Sequence, residues 1–488
     1  MRRFAPLATA LSLLALAGAS HASPADARYA DDSEGVFWFL HISDLHTGTE
    51  MYPASSAHIA LALGEARQVV RPWFTVATGD LVDASPFGVP TTGQDQGEWD
   101  LYKQLYTAAG VTLESYIDLP GNHDGYGDVG YAHYLGNSLL GTTRHALHAS
   151  WTVATPAGEY YFHGLGSAGN GSGPFLEQPE FLADQIADLQ TGLASHAAAR
   201  LSFVLAHHPV TDPKNGSQIV DAMVGAGGGF YLHGHVHAYD EYTEGNGAIV
   251  VNEVDSLGKS DANNLAVGVV DHDAFVYRAT STSKPWPFVV ITAPVSRSLR
   301  DGAPNPYAYQ VCKDHAANPV RALVFAKDAI ASATAKLGSL APVAMAEDPA
   351  TPELWSGHVD TTSLAAGPYD LVVEATAGAE TVHQTIGIDL VDGPCEPFPD
   401  AGAADAGAGD AGPPDAAGSD AGGFADAAPA DDAAPDAAPS ADPIDAGADA
   451  GCACRATPSR ATSPGSAGWL LALGAALVVR RRERSARG

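Results

Sequence analysis

The chain has 488 residues and only four cysteines, so it is long enough for two folded domains without a dense disulfide framework. Its formal net charge of −32 argues against nucleic acid or an anionic membrane surface as a partner of the folded body, because like charges repel. The composition therefore indicates a large acidic globular protein.

Residues 1–22 have the order of a secretory signal peptide. Two arginines follow Met1, an apolar run extends from Ala5 to Ala19, and small residues lead to Ala22, after which we predict cleavage. An uncleaved membrane anchor is the alternative, although the apolar run is short for a span. The protein is therefore expected to be exported.

Between Val36 and about Arg278, short apolar runs alternate with amphipathic stretches, which predicts an α/β domain over residues 31–280. The predicted strands are Val36–Leu40, Phe74–Ala77, Tyr116–Leu119, Leu201–Ala206 and Phe230–Leu232. Helical spacing is present at Ala57–Val70 and Pro179–Ala199. Each predicted strand ends at His, Asp or Asn residues, and such ends converge on one edge of a sheet.

From residue 284 to 396 the pattern changes to short strands separated by Gly, Pro, Asp and Thr turns, which predicts a smaller all-β sandwich. The segment from Leu354 to Tyr369 resembles immunoglobulin-like or fibronectin-like modules. Because export permits disulfides, Cys312 and Cys395 are predicted to pair, with two buried free thiols as the alternative.

Residues 397–451 are nearly all Ala, Asp, Gly and Pro, which predicts a disordered tether. Residues 452–488 contain Cys452, Cys454, a short apolar helix at Ala467–Val479 and an arginine cluster. This tail resembles the MYXO-CTERM sorting signal of myxobacterial surface proteins. The resemblance implies processing at Cys452 by a sorting protease, and a location at the cell surface or outer membrane, or release from it. A plain transmembrane anchor is the alternative, and membrane contact is expected only through this tail.

Five polar clusters lie in the first domain in a fixed order. They read HISDLH at residues 41–46, GDLVD at 79–83, GNHD at 121–124, HHP at 207–209 and GHVH at 234–237. Together they resemble the signature of the calcineurin-like metallophosphoesterases, over Phe37 to about Arg278. The resemblance implies a four-layer αββα metallophosphoesterase sandwich, here followed by the all-β, immunoglobulin-like sandwich.

Hydrolysis of a phosphoester needs a nucleophile that is active near neutral pH and a positive charge beside the negatively charged phosphoryl oxygens. Two metal ions supply both. By the resemblance, Asp80 bridges the two ions. Asp44, His46 and His237 complete one site, and Asn122, His207 and His235 complete the other. This mixture of carboxylate, carboxamide and imidazole suits two divalent or mixed-valence transition metal ions, Mn, Fe, Zn or Co, better than calcium.

His123 follows a ligand directly and has no metal of its own in this assignment. We expect it to protonate the leaving oxygen or to stabilise transition-state charge, with Asp124 orienting its imidazole. A turn role is the alternative for Asp124. His41 is predicted to be a hydrogen-bonded core group, whereas Asp83 and His208 are expected to support the ligands.

The function predicted from these residues is a binuclear metal-dependent hydrolase that cleaves a phosphodiester or phosphomonoester by attack of a metal-bridging hydroxide. The substrate stays open, and aromatic residues such as Trp99, Tyr102 and Tyr106 are either a pocket rim or packing. The alternative is a surface-displayed binding or adhesion protein whose metal domain is structural or inactive. All five clusters precede Lys284, so the sandwich is expected to be dispensable for the chemistry.

Overall fold

The computed structural model of the protein describes residues 35–49, 52–84, 93–171, 179–260 and 262–392. These residues belong to one compact unit of the chain, Met1–Asp426, and the second unit, Ala427–Gly488, lies outside the described residues. The predicted signal peptide, tether and sorting tail also lie outside them and stay predictions. In the described part of the chain, no helix has the length and apolar character that a membrane crossing requires.

The first region of the structure alternates strands and helices. Its strands are β1 (Val36–Ile42), β2 (Thr75–Thr78), β3 (Tyr116–Leu119), β4 (Ala149–Thr155), β5 (Gly158–Gly164), β6 (Leu201–Leu205), β7 (Gly229–His233), β8 (Asp240–Glu244), β9 (Ile249–Glu253), β10 (Asn264–Asp271) and β11 (Ala274–Ser281). Its helices are α1 (Ser55–Leu61), continued by a π-helical turn (Ala62–Ala66) into α2 (Arg67–Val70), then α3 (Gln96–Ala108), α4 (Ala132–Asn137), α5 (Leu139–Arg144), α6 (Ala183–Ser195) and α7 (Gly216–Gly225).

These strands form two sheets. The first has the order β11-β10-β1-β2-β3, in which β1, β2 and β3 are parallel. The second has the order β4-β5-β6-β7-β9-β8, in which β5, β6, β7 and β9 are parallel. Because parallel strands share a direction, the loops after β1, β2 and β3 leave one edge of their sheet, and the loops after β6 and β7 leave one edge of theirs.

The two sheets pack face to face through aromatic side chains. Neighbouring residues of β1 point to opposite faces, so Phe37 and Phe39 enter the layer between the sheets, whereas Trp38 and Leu40 face away from it. Phe39 of the first sheet packs edge to face on Phe162 of β5 in the second, with ring centroids 5.6 Å apart. This layer is a continuous apolar core that fixes the position of one sheet against the other.

Helices cover both outer faces of the paired sheets. Apolar residues of α1 and α3, such as Ile59 and Trp99, pack with the outer face of the first sheet. Residues of α6 and α7, such as Leu189 and Met223, pack with the outer face of the second. The layers are therefore α, β, β and α, which confirms the predicted α/β fold of this region.

The aromatic side chains considered for a pocket rim are packing residues, and the chain beyond them adds strands to the second sheet. Trp99, Tyr102 and Tyr106 lie three and four residues apart on one face of α3 and are buried, so packing is the alternative that the structure supports. The insertion that carries His148 and His163 contains β4 and β5, which extend the second sheet. His163 is fully buried there.

The second region consists entirely of strands, as predicted. They are β12 (Phe288–Ala293), β13 (Gln310–Cys312), β14 (Asn318–Phe325), β15 (Ile330–Leu337), β16 (Val343–Ala344), β17 (Ala346–Glu347), β18 (Leu354–Val359), β19 (Gly367–Ala377) and β20 (Glu380–Val391). They form two sheets, β12-β14-β18-β17 and β13-β20-β19-β15-β16, which share one apolar core. The immunoglobulin-like identity of this region stays a prediction, as do the exact domain boundaries.

The two regions are joined by a mixed interface. Phe325 of β14 packs on Trp38 of β1 with ring centroids 6.0 Å apart, and both belong to one buried cluster. Arg321 of β14 reaches Asp271 of β10 with both side chains buried. The all-β region is thus packed into the structure of the α/β region.

The structure describes one of the two cysteines that were predicted to form a disulfide. Cys312, at the end of β13, is disulfide-bonded. The other three cysteines lie outside the described residues, so the pairing with Cys395 stays a prediction.

Candidate metal centre

The seven predicted ligands lie in loops that directly follow parallel strands of both sheets. Asp44 and His46 follow β1, Asp80 follows β2 and Asn122 follows β3. In the second sheet His207 follows β6, and His235 and His237 follow β7. The layered packing of the sheets therefore brings residues that are almost 200 positions apart into one site.

Asp44, His46 and His237 form one cluster in which each side chain offers a ligand atom within 4.8 Å of the others. The Nε2 atom of His237 is 3.1 Å from Oδ1 of Asp44 and 3.4 Å from Nε2 of His46. One carboxylate oxygen and two imidazole nitrogens this close together are suited to a transition metal ion.

A second cluster consists of Asp80, His207 and His235, which are linked through His207 and also lie close to Asp44 and His208. Nε2 of His207 lies 3.2 Å from Oδ2 of Asp80 and 3.2 Å from Nδ1 of His235. The same Oδ2 of Asp80 is also 3.8 Å from Nε2 of His46. Asp80 is thus placed between the two clusters, where the sequence predicted a bridging ligand.

The side-chain oxygen of Asn122 gives independent support for a cation at this site. Its side chain is 4% exposed, and its Nδ2 donates a hydrogen bond to the Tyr126 hydroxyl at 2.6 Å. Its Oδ1 is buried without a hydrogen-bond partner among the described residues. A buried carbonyl oxygen left unsatisfied is costly, and coordination to a cation would satisfy it. The residues present therefore fit a metal ion.

The backbone of the ligands is unusual. Five of the seven have positive φ angles between 45° and 71°, and these are Asp44, His46, Asp80, His235 and His237. Glycines permit the close approach of the loops that carry them: a Cβ at Gly121 would lie 2.3 Å from Oδ1 of Asp80, and one at Gly234 would lie 2.3 Å from Oδ2 of Asp44. Positive φ in non-glycine residues costs free energy and concentrates at functional sites.

The electrostatics of the clusters favour a bound cation. Burial lowers the pKa of His207, but the carboxylates of Asp80 and Asp44 outweigh it and raise this pKa to about 10. Burial raises the pKa of Asp80, yet His207 and His123 hold it well below the ordinary value. In the metal-free protein a proton on His207 thus balances two buried carboxylates. A metal ion could take over that role, since ligand imidazoles bind it in the neutral form.

His123 lies beside the two clusters as predicted, but its supports differ from the prediction. Its backbone N–H donates to Oδ1 of Asp80 at 2.9 Å, and its Nε2 is 3.8 Å from Oδ2 of Asp80. Its Nδ1 forms a short hydrogen bond with the carbonyl oxygen of Asp83. The imidazole is therefore oriented by Asp83, with Nε2 directed toward the centre.

Asp124 does not orient His123, which corrects the prediction for this residue. Its Oδ1 accepts from the backbone N–H groups of Leu81 and Val82 at 2.9 and 3.1 Å, and its Oδ2 accepts from Gly121 at 2.7 Å. These bonds tie the loop after β2 to the loop after β3. The cause is local, because the 3₁₀ turn at residues 123–125 directs the carboxylate back toward those backbone groups.

Other polar residues around the centre have supporting roles. His41 is buried between the Tyr277 hydroxyl at 2.5 Å and the Thr78 hydroxyl at 2.8 Å, which confirms it as a hydrogen-bonded core group. His208 contacts Ser167 through Nδ1 at 2.8 Å. Sequence reasoning missed Lys259, whose ammonium pairs with Asp83. The one feature of the sequence that could have indicated this role is a basic residue shortly after a buried strand in an otherwise acidic chain.

Comparison with known proteins agrees with this geometry. Residues 37–239 match the profile described as calcineurin-like phosphoesterase. Transmembrane protein 62 of Mus musculus is 24% identical over 325 residues, which is 63% of this chain, and the chain spans about half (48%) of the length of that relative.

Similar solved structures include a predicted phosphoesterase from Streptococcus pneumoniae TIGR4, at 12% identity over 50% of this chain and 90% of its own, with a TM-score of 0.23. Vacuolar Protein Sorting 29 from Cryptosporidium parvum is 9% identical over 73% of this chain and 100% of its own, also with a TM-score of 0.23. On the sequence match and the site geometry, residues 37–239 of this chain form a calcineurin-like phosphoesterase domain.

Proposed function

We propose that the protein is a binuclear metal-dependent phosphoesterase. The observation that carries this proposal is the position of Asp80, whose Oδ2 is 3.2 Å from His207 in one cluster and 3.8 Å from His46 in the other. A carboxylate shared by two ligand clusters is what a pair of adjacent ions requires. The unsatisfied Oδ1 of Asn122 supports the same conclusion.

Two ions held by these residues would supply an activated water molecule and positive charge for the phosphoryl oxygens. The contribution of the chain itself is orientation and proton transfer. His123 is 15% exposed and directs Nε2 toward the centre while Asp83 holds Nδ1. A proton on Nε2 can therefore pass to the leaving oxygen, which lowers the barrier for a poor leaving group.

For the substrate, we propose a phosphodiester in preference to a phosphomonoester. None of the five sequence clusters contains an arginine or lysine. Lys259, which the structure adds, is already paired with Asp83. A second negative charge on a monoester would therefore gain little from the protein, because a bidentate arginine is the usual partner of a phosphate dianion. Few basic groups also disfavour a polynucleotide substrate.

The test is metal analysis combined with hydrolysis of bis-p-nitrophenyl phosphate and p-nitrophenyl phosphate. We expect about two transition metal ions per chain and faster turnover of the diester. Two bound metals without turnover of either ester would instead support a surface-displayed binding protein with an inactive domain. A protein that binds no metal after reconstitution with Mn, Fe, Zn and Co would contradict the proposal.

We also propose that the enzyme is exported and held at the cell surface through its tail. Support comes from the sequence alone, through the apolar run after Met1 and the cysteine motif at Cys452. Replacing Cys452 by alanine should change surface retention without changing turnover of the purified enzyme. Cell fractionation that shows Ala467–Val479 spanning a membrane in the mature protein would contradict the sorting role.

A further inference from the structure

The loop between β9 and β10 lies directly against the first metal-ligand loop. Leu257 N–H donates to the carbonyl oxygen of Ser43, and Gly258 N–H donates to that of Asp44, both at 3.0 Å. The Ser256 hydroxyl donates to the same Asp44 oxygen at 2.9 Å. A Cβ at Gly258 would lie 2.0 Å from the carbonyl oxygen of Leu45, so only glycine permits this approach.

This anchoring places the side chain of Lys259 at the metal centre. Its backbone N–H donates to the Ser256 hydroxyl at 2.8 Å, which fixes the start of the side chain. Its ammonium forms a close ion pair with Oδ1 of Asp83. The Lys259 side chain is 12% exposed and that of Asp83 is 2% exposed. Such a pair is shielded from solvent, unlike the exposed pairs that contribute little.

Asp83 in turn contacts two residues of the proposed machinery. The same Oδ1 that pairs with Lys259 is 3.1 Å from Nδ1 of His46 and 3.8 Å from Nδ1 of His123. Nε2 of His46 faces the first ligand cluster, within 3.9 Å of Asp44. A carboxylate behind a ligand imidazole sets the ring orientation and directs the opposite nitrogen at the metal.

We propose that Lys259 is a positioning residue, which holds the Asp83 carboxylate behind His46 and so sets the orientation of that ligand. The inference rests on the proposed binuclear function, because it gives His46 the role of a metal ligand. Without the ammonium, the buried Asp83 carboxylate loses its charged partner and can turn away from His46.

Charge and positioning predict opposite effects of removing Lys259, which makes the inference testable. If the ammonium acted only by its charge, its loss would leave the centre more negative and tighten the binding of a cation. If it acts by positioning, its loss should weaken metal binding, as the loss of partners behind metal ligands does by roughly 10- to 100-fold.

The experiment measures Co²⁺ affinity by chelator competition, together with the visible spectrum of the Co²⁺ protein and kcat and KM for bis-p-nitrophenyl phosphate. For Lys259→Met we expect Co²⁺ affinity and kcat each to fall roughly 10- to 100-fold, an altered Co²⁺ spectrum and little change in KM. Lys214→Met is the matched control, since Lys214 pairs with Glu180 at 2.8 Å with its side chain 71% exposed. It should behave as wild type.

A double-mutant cycle with Asp83→Asn separates this role from general stability. If Lys259 acts through Asp83, Lys259→Met should change Co²⁺ affinity by less than about twofold in the Asp83→Asn background. The cycle also serves if Lys259→Met alone fails to fold, because the double variant carries no unpaired carboxylate. Unchanged or tighter Co²⁺ binding in Lys259→Met, or additive effects in the cycle, would overturn the inference. Wild-type protein that neither binds Co²⁺ nor hydrolyses the ester would instead contradict the proposed function.

Discussion

The buried ion pair between Asp271 and Arg321 connects the two regions of the fold, so replacing Arg321 by methionine should destabilise the whole described unit. Arg321 Nε donates to Oδ2 of Asp271 at 3.0 Å and Nη2 donates to Oδ1 at 2.7 Å. The Thr292 hydroxyl adds a hydrogen bond to Oδ2 at 2.7 Å. Both charged side chains are at most 2% exposed. In the variant the carboxylate keeps the Thr292 hydroxyl and Nδ1 of His272, which lies 2.8 Å from its Oδ1, but loses the guanidinium.

Removing one partner of a buried pair costs about 3 to 5 kcal/mol, and we expect the lower end of this range here because Thr292 and His272 still contact the carboxylate. Since 1.4 kcal/mol is a factor of ten, the ratio of folded to unfolded protein should fall at least roughly 100-fold. The double variant Asp271→Asn with Arg321→Met removes both charges. It should recover most of the loss, because the cost comes from the unpaired carboxylate and not from the absence of the pair.

The effect should depend on pH in a defined direction. Burial alone would raise the pKa of Asp271, but Arg321 and His272 outweigh it and hold this pKa well below the ordinary value. The stability that the pair contributes is therefore complete above about pH 4, the unfolded pKa, and is lost as the pH falls through the folded pKa. The difference between wild type and Arg321→Met should shrink in strong acid.

Urea unfolding followed by tryptophan fluorescence measures these changes at pH 7 and in acid. Lys284→Met is the control, because Lys284 pairs with Glu380 at 2.8 Å while 68% exposed. That variant should lie within about 0.5 kcal/mol of wild type. The reasoning fails if Arg321→Met is as stable as the control, or if the double variant is no more stable than Arg321→Met.

Three further predictions concern the site and the boundary between the regions. Asp80→Ala should lose metal and activity together in metal analysis and ester hydrolysis, because it removes the ligand shared by both clusters; retention of both metals would contradict the bridging role. His123→Ala should keep its metals while kcat falls roughly 10²- to 10⁴-fold, and less for p-nitrophenyl than for alkyl esters, whereas loss of a metal would contradict the assignment. A chain ending at Thr282 lacks the contact between Phe325 and Trp38 and the ion pair between Arg321 and Asp271. It should therefore unfold more easily when followed by circular dichroism, and a stable, active truncated chain would contradict this.

The ligand loops were predictable because two regular features coincide in the sequence. Each buried strand appears in the sequence as a short apolar run, and a polar cluster follows closely after it. For example, Asn122 follows β3, which ends at Leu119, and His207 follows β6, which ends at Leu205. Parallel strands then place such ends on one edge. The burial of Trp99 and Tyr102 on α3 could also have been inferred, since their helical spacing places them on one face.

Pairings between distant elements could not be predicted in this way. Strand β4 carries alternating exposed and buried residues whereas β5 is largely buried, and β5 joins the second sheet through β6, about 40 residues away. Asp271 and Arg321 are 50 residues apart, and nothing local marks either as buried. The role of Lys259 could not be predicted either, because it arises from a loop that contacts Asp44 across the sheet edge. Likewise, the sequence pattern predicts an all-β region that is separable from the α/β region. In the structure the two regions share a packed interface, so the all-β region is part of the scaffold.

The backbone around the metal ligands indicates what this scaffold is arranged to support. A fold selected for stability alone would relax Asp44, Asp80 and His235 from the left-handed region, where each costs of the order of 1 to 3 kcal/mol. Instead the conformations are held by neighbouring contacts: Asp124 ties the loops after β2 and β3, and Oδ2 of Asp44 accepts the backbone N–H of His235 at 2.9 Å. Strain that is fixed from several sides, beside an unsatisfied ligand oxygen, is better explained by a requirement of metal chemistry than by folding.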